Sequence, residues 1–527
     1  MSRFSFPEKG SRVLREWAEA RTAARIAAGQ RQVLRRSGMF QAAGTDRLTA
    51  SLMGYSNSIN ADLDSALLLL RARARQITAS NGFGRRFINL VAQNVVGPSG
   101  PQLMVRARLA NGLLDKAGNE AVEWAWWRWC KPANCDVRGL MSLPMMLRTA
   151  AKAVARDGEA LLRKVRNRNY VGGMKLQLLE VDRLDESLNT RLRNGNTIRQ
   201  GVELDSAMQA VAYYIKTRHP GESYRDTTRN ETERVPADQV IHLFLPERAE
   251  QVRGYTWMHA VLVDAHMLHQ FKDSALVAAR VGASKMGVFT RKEGTDPNAL
   301  ASMADSADGE KLQMTAEAGE FIELPEGYSL ESWDPQYPHE NFDGFVAACL
   351  RGIASGLDVA THNLTGDMTK VNYSSARVAE LSERDAWIAL QEWLIDTTML
   401  PLFGEWLLYA LMRGDIRLQP SGKPIGEDKH QKFLDAAGFQ GRRWEWVDPQ
   451  KAAGAKEIEL RLGITSRTRI CAERGQDFAE ILAERAAEEQ EMANLGLPTA
   501  LADAPLMAPP QPDEDAGETG DTEGSEQ

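Results

Sequence analysis

Long apolar runs are missing from this sequence of 527 residues; the longest, Trp406 to Met412, has seven. A membrane-spanning helix needs about 20, so none is expected, and no membrane partner is implied. Cysteine is scarce, with only Cys130, Cys135, Cys349 and Cys471. Four in a chain this long make no disulfide framework. Cys130 and Cys135 lie close together, but no second pair or histidine cluster follows to complete a structural zinc site. Buried free thiols are the expectation. The N-terminus has no apolar core or small-residue cleavage site, so no signal peptide is expected. The chain reads as a soluble protein made in a cytoplasm.

A charge excess is also missing from most of the chain. There are 64 Lys+Arg against 71 Asp+Glu. Asp513 to Gln527 holds seven acids and no base, and without those seven the remaining 64 acids match the 64 bases. A balanced body argues against a generally basic nucleic-acid binder, whose affinity rests on many phosphate contacts. It argues equally against a generally acidic, solvating protein. The first 37 residues are the other exception, with nine bases against three acids. They read as a basic arm, either meeting an acidic partner or nucleic acid, or forming a solvated helix.

The usual signatures of catalysis are absent too. No phosphate-cradling G-x-x-x-x-G-K-[ST] is present; Gly366 to Lys370 is a superficial echo. No G-x-S-x-G elbow and no H-E-x-x-H occurs. His266 and His269 lie three apart on a predicted helix with no evident third ligand. No cofactor or metal is expected, and the chain reads as a non-enzyme. A hydrolase with a dispersed site is the weaker alternative.

What the chain does have is enough apolar content, 43%, to bury real cores. Its length suggests about three units at roughly 100–200 residues each. Apolar spacing predicts helices over Asp62–Ile77, Arg85–Gln93, Leu140–Arg156, Trp257–Ala279 and Phe342–Ile353. A long helix is expected from Ala376 to about Thr398, broken or kinked at Pro401. Two more are expected over Asp448–Leu462 and Ser466–Ala493, with Thr465 or Ser466 as N-cap. Trp124, Trp126, Trp127 and Trp129 crowd another helix; such spacing suits a core or interface better than a base-stacking platform. Residues 160 to 245 change character, with β-like runs at Lys175–Val181, Ala210–Lys216 and Gln239–Leu245 between polar turns. The fold class is therefore α+β, mostly helical. Within the β-rich part, Arg163, Lys164, Arg166, Arg168 and Lys175 form a run with no acid. They read as a contact surface for a partner or DNA, or as a solvated basic strand.

Three stretches carry a resemblance. The first is Val240-Ile-His-Leu-Phe244, continuing through Pro246-Glu-Arg248 and Gln251-Val-Arg-Gly254. The second runs from Asp334-Pro-Gln-Tyr-Pro-His-Glu-Asn-Phe342 through Arg351-Gly-Ile-Ala-Ser-Gly-Leu357. The third is Leu364-Thr-Gly-Asp-Met-Thr-Lys-Val-Asn-Tyr-Ser-Ser-Ala-Arg377. Together they resemble the lambda-like portal proteins of tailed bacteriophages, over roughly residues 38 to 450. Between Gly356 and Leu364, relatives often carry an aromatic and an acid where this chain has Thr361 and His362.

The resemblance implies a portal fold of wing, stem, clip and crown, and a ring of about twelve subunits closed by one repeated interface. That ring would sit at the unique vertex of the capsid in the virion, assembled in the host cytoplasm. Double-stranded DNA would enter through its channel, driven by the terminase large subunit, and later leave through it. Major capsid and scaffold proteins and head-completion or tail connector proteins would be the other partners. The layout implied is a basic arm (1–37), wing (38–139), stem helix (140–158), clip (159–255) and second stem helix (256–283). Wing and tunnel loop (284–340), channel-side helix and loop (341–375), crown and C-terminal helices (376–497) and a disordered acidic tail (498–527) would follow. Gln336, Tyr337, His339, Glu340 and Asn341 would be the tunnel loop, and the five basic residues would lie in or near the clip. Lys370 and Arg377 would be intersubunit or DNA contacts. A virion adaptor without a DNA channel is the alternative reading.

Overall fold

The structure, a computed structural model, describes residues 56–222, 231–283, 287–291, 328–332, 342–369, 373–444, 449–474, 476 and 478–496. The chain divides into Met1–Ser65 and Ala66–Gln527. The basic arm, the proposed tunnel loop, Lys370 and the acidic tail lie outside the described residues.

Helix α1 spans Ile59–Ser80 and α2 spans Gly82–Val91, with Asn81 between them accepting from the Phe83 and Gly84 N–H groups as an N-cap. A π turn, Ala92–Val96, extends α2 and stops at Gly97. Strand β1 (Gln102–Val105) and helix α3 (Lys116–Trp129) follow. Helix α4 covers Leu143–Asp157, three residues later at its start than spacing suggested. The Ser142 side chain caps it by accepting from Met145 N–H, and Pro144 sits in the first turn, where its missing N–H costs nothing.

The β-rich stretch, expected as one insert, divides in two. Strands β2 (Glu159–Arg166), β3 (Met174–Leu179) and β9 (Val240–Phe244) form an antiparallel sheet of order β3-β2-β9. Between them in sequence, β4 (Thr190–Arg191), β5 (Thr197–Arg199), β6 (Val202–Leu204), β7 (Ala210–Lys216) and β8 (Thr232–Pro236) form a separate five-stranded meander. Side chains alternate across a strand, and β2 uses both faces. Ala160 and Leu162 join the main helical core, while Leu161 joins a second core with Val202, Leu204, Tyr213, Ile215 and Val235 of the meander. The three-stranded sheet is thus the shared wall between two cores.

Helix α5 runs Leu262–Ala283. It begins five residues after Trp257, because the preceding residues are held in turns such as Val261 N–H to Met258 O. Strands β10 (Gly287–Arg291) and β11 (Tyr328–Ser332) pair, and helix α6 spans Phe342–Gly356. Helix α7 (Tyr373–Leu394) passes into α8 (Leu400–Met412) without a break. A π turn, Ile395–Met399, joins them, with Leu400 N–H reaching five residues back to Ile395. That extra residue absorbs Pro401, which has no N–H to give; the expected break is a π bulge instead. Strand β12 (Ala437–Gln440) pairs with β1. Helix α9 spans Pro449–Arg461. The last predicted helix is two, α10 (Arg467–Glu473) and α11 (Phe478–Asn494), and Gly475 lies in the gap. Ser466 is the N-cap of α10, accepting from Arg469 N–H.

The four tryptophans of α3 split by face. Trp126 and Trp129 are buried with Phe403 and Trp406 of α8 and with Phe439 of β12, and Trp126 stands edge-on to Trp406 at 4.9 Å. Such pairs contribute about 0.5–1.5 kcal/mol beyond their buried area. Trp124 and Trp127 are exposed beneath Arg128 and Lys131, at 5.0 and 3.6 Å from the ring centres. The thiols are free. Cys135 donates to the Cys130 and Met141 carbonyls, and burial pushes its thiol up to about 12.

Candidate functional site

The richest chemistry lies along β2, at its two ends. At the start, Glu159 is fully buried. The loop Gln251–Gly254 runs against it, made possible by a pair of glycines. Gly158 ends α4 in the left-handed region (φ 95°), and a Cβ there would meet the Tyr255 backbone at 2.3 Å. A Cβ on Gly254 would meet Gly158 O at 2.2 Å. This close approach places Arg253, itself fully buried, on the Glu159 carboxylate through contacts of 2.6 and 3.0 Å. Arg71 of α1 adds a contact at 3.1 Å, His242 of β9 one at 2.8 Å, and Gly254 N–H one at 3.2 Å.

The cluster extends into the meander side. Arg71 also reaches Glu186 at 3.1 Å, and Arg253 donates to Gln200 O at 2.6 Å. Arg75 bridges Asp157 at 2.9 Å and Asp182 at 2.5 Å, and Arg156 meets Asp157 at 2.7 Å. Four guanidinium groups thus face four carboxylates. Burial alone would push the Glu159 carboxyl up, but the charge of Arg253 and the hydrogen bond with His242 outweigh it and hold it well below the usual range. Glu180, Asp182 and His219 bring ligand atoms within 4.8 Å of one another. Arg75 and Arg71 already supply Asp182 with positive charge, and His219 lies 3.0 Å from Glu180.

At the other end, alternation sends the basic residues two ways. Arg163 points with Leu161 toward the meander and forms a two-pronged pair with Glu233 of β8, at 2.7 and 3.0 Å. Lys164 and Arg166 point toward the helices and share Glu405 of α8, at 2.5 and 2.6 Å. Arg166 also grips Asp238 at 2.6 Å. Burial would lower the Arg166 pKa, but Glu405 and Asp238 raise it above the usual arginine value. Lys175 donates to Ala133 O at 2.7 Å and lies 5.1 Å from the Tyr170 ring centre. Arg168 is exposed in the β2–β3 turn and has no ion pair among the described residues. Arg377 is exposed on α7. His266 is exposed, and His269 pairs with Asp273 at 3.5 Å.

Three of the five, Arg163, Lys164 and Arg166, therefore have acidic partners distant in sequence, which no local reading could supply. The buried cluster was missed altogether. Its one signal lay in Gln251-Val-Arg-Gly254, where an arginine precedes a glycine in a recognised stretch.

Residues 45–391 match the family model described as "Phage portal protein, lambda family". The chain is 32% identical over 463 residues to the "Probable portal protein" of Halomonas phage phiHAP-1, covering 87% of this chain and 88% of that one. It is 23% identical over 480 residues to "Portal protein B" of Escherichia phage lambda, covering 84% and 87%. Among solved structures it resembles a chain from the neck of an empty GTA particle computed with C6 symmetry, with a TM-score of 0.42, 14% identity, and coverage of 86% and 100%. The chain belongs to the lambda family of phage portal proteins.

Proposed function

We propose that copies of this chain close into a ring at the capsid's portal vertex, with double-stranded DNA passing through its centre. The family match over residues 45–391 carries this reading. In it the chain is structural rather than enzymatic. The terminase supplies the work, capsid and scaffold proteins hold the ring, and head-completion proteins bind its outer end; assembly takes place in the host cytoplasm. One feature of α5 supports self-association. Leu262, Ala265, Leu268 and Ala275 are buried, yet Val263, Met267 and Val277, on the opposite face, are more than half exposed. A helix with a second apolar stripe is suited to a neighbour.

In this reading α4 and α5 are the stem and the β-rich part reaches toward the clip. The stretch from Gln336 to Asn341 faces the channel, and Lys370 and Arg377 meet a neighbouring subunit or DNA. Arg168 is the clip contact that needs no rearrangement, since Arg163, Lys164 and Arg166 would first have to release Glu233, Glu405 and Asp238. Negative-stain images and light scattering of purified protein test the ring. A monomer that stays a monomer beside scaffold and capsid protein would overturn it. Capsids assembled without this chain should be empty of DNA; filled shells would favour an adaptor without a channel.

A further inference from the structure

Two adjoining clefts of about 540 and 210 Å³ share Gly97, Pro98 and Arg442. Their walls are basic: Arg148 and Lys152 come from one face of α4, Arg442 and Arg443 follow β12, and Arg474 follows α10. Among the described residues, no carboxylate lines either cleft. Arg442 is anchored at 2.7 Å to both Gln93 O and Asn94 Oδ1, and burial together with nearby Arg384 lowers its pKa. Arg148, Lys152 and Arg443 make no ion pair among the described residues. The acids of the neighbouring clefts are engaged elsewhere: Glu380 pairs with Arg384, Glu383 accepts from Asn363 and Trp387, and Glu473 pairs with Lys456. Asp435, which accepts from Gln431, is the one acid that shares a neighbouring cleft with Arg443 without a cation partner among the described residues.

A groove lined by cations, with no carboxylate on its walls among the described residues, suits a polyanion, and the sequence holds one. Asp513 to Gln527 carries seven acids and no base. The seventeen Cα–Cα steps from Gly496 to Asp513 can span up to about 55–60 Å, enough to return to their own chain or reach an adjacent copy. Tethering raises the local concentration of such a segment into the millimolar range. An extended peptide also enters clefts of this size more readily than a stiff duplex. We propose that the acidic segment 513–527 docks in the basic groove around Arg148, Lys152 and Arg443, and so keeps other polyanions out of it. This does not depend on the ring or its channel.

The test uses the full chain and a fluorescent peptide of residues 513–527, read by anisotropy. In one variant the seven acids become amides (Asp513→Asn, Glu514→Gln and the matching five). A second variant adds R148E, K152E and R443E. The peptide should bind the first variant at least about tenfold more tightly than the native chain, whose own tail competes. Charge reversal should weaken binding at least about tenfold, as should added salt. Equal binding to native and tail-neutralised chains overturns the proposal, and so does binding indifferent to charge reversal. A peptide with its own seven acids neutralised requires no change to the protein; if it binds equally well, the proposal also fails. If a short duplex binds the groove and the acidic peptide does not displace it, the groove is a DNA-backbone contact instead.

Discussion

Strand β2 begins in one ion cluster and ends in another, and the two differ in what water can do. At Glu159 the carboxylate and Arg253 are fully buried, so each is the other's substitute for solvent. At Arg163 the guanidinium and its partner Glu233 are 23% and 49% exposed, so water can replace either. The same pairing of arginine with carboxylate therefore locks the structure at one end and only decorates it at the other. Removing one partner of a buried pair typically costs about 3–5 kcal/mol, because the survivor stays buried and uncompensated. An exposed pair is worth about 0–1 kcal/mol.

The sharpest way to break this contrast is Glu159→Gln. It keeps the size but leaves Arg253 and Arg71 facing a neutral amide. We expect a loss of about 3–5 kcal/mol in denaturant unfolding, with the meander loosening first, because Arg71 and Arg253 also hold Glu186 and Gln200 O. The double variant Glu159→Leu/Arg253→Leu should lose less than the two single changes summed, since neither member of the pair is left facing an absent partner and only Arg71 still loses Glu159. A double variant as unstable as the sum of the two would show that the pair carries no coupling energy.

Acid should act at the same end. The folded-state pKa of Glu159 lies below its ordinary value of 4.5. A group depressed on folding stabilises above its unfolded pKa and loses that contribution as pH falls toward its folded pKa. Thermal melts should therefore fall as pH drops below about 4.5, and more steeply for the native chain than for Glu159→Gln. Parallel curves would place the acid sensitivity elsewhere.

An intermediate case sharpens the comparison. Glu405 serves Lys164, whose side chain is 10% exposed, and Arg166, at 31%. Glu405→Gln strands the nearly buried Lys164 and leaves Arg166 with Asp238 alone. The expected loss is about 1.5–3 kcal/mol, in the range for hydrogen bonds to charged groups. Adding Lys164→Met should recover part of it.

How much of this was legible follows from what is local. Helix α6, strand β7 and the Ser466 cap follow from spacing and residue type within a few positions. So did the run Arg163 to Lys175 as a basic stretch. What no local reading supplies is that Glu233, Glu405 and Asp238 come to meet it from 70 to 241 positions away. The buried cluster is harder still: Arg71, Glu159, His242 and Arg253 look like ordinary surface residues until two glycines bring their backbones together. Pro401 misled for the opposite reason, since a local helix breaker was absorbed by a π turn.

The smallest effect is the strictest test. Arg163→Gln removes a two-pronged pair whose geometry, at 2.7 and 3.0 Å, is as good as that of the buried cluster. If geometry set the energy, the loss would match that of Glu159→Gln. If burial sets it, the loss should be about 0–1 kcal/mol and should shrink further as salt rises, because screening acts on wet pairs and spares dry ones. Denaturant unfolding at low and high salt separates the two. A salt-independent loss of several kcal/mol would mean that the Arg163–Glu233 pair is shielded from water and that the two ends of β2 are alike after all.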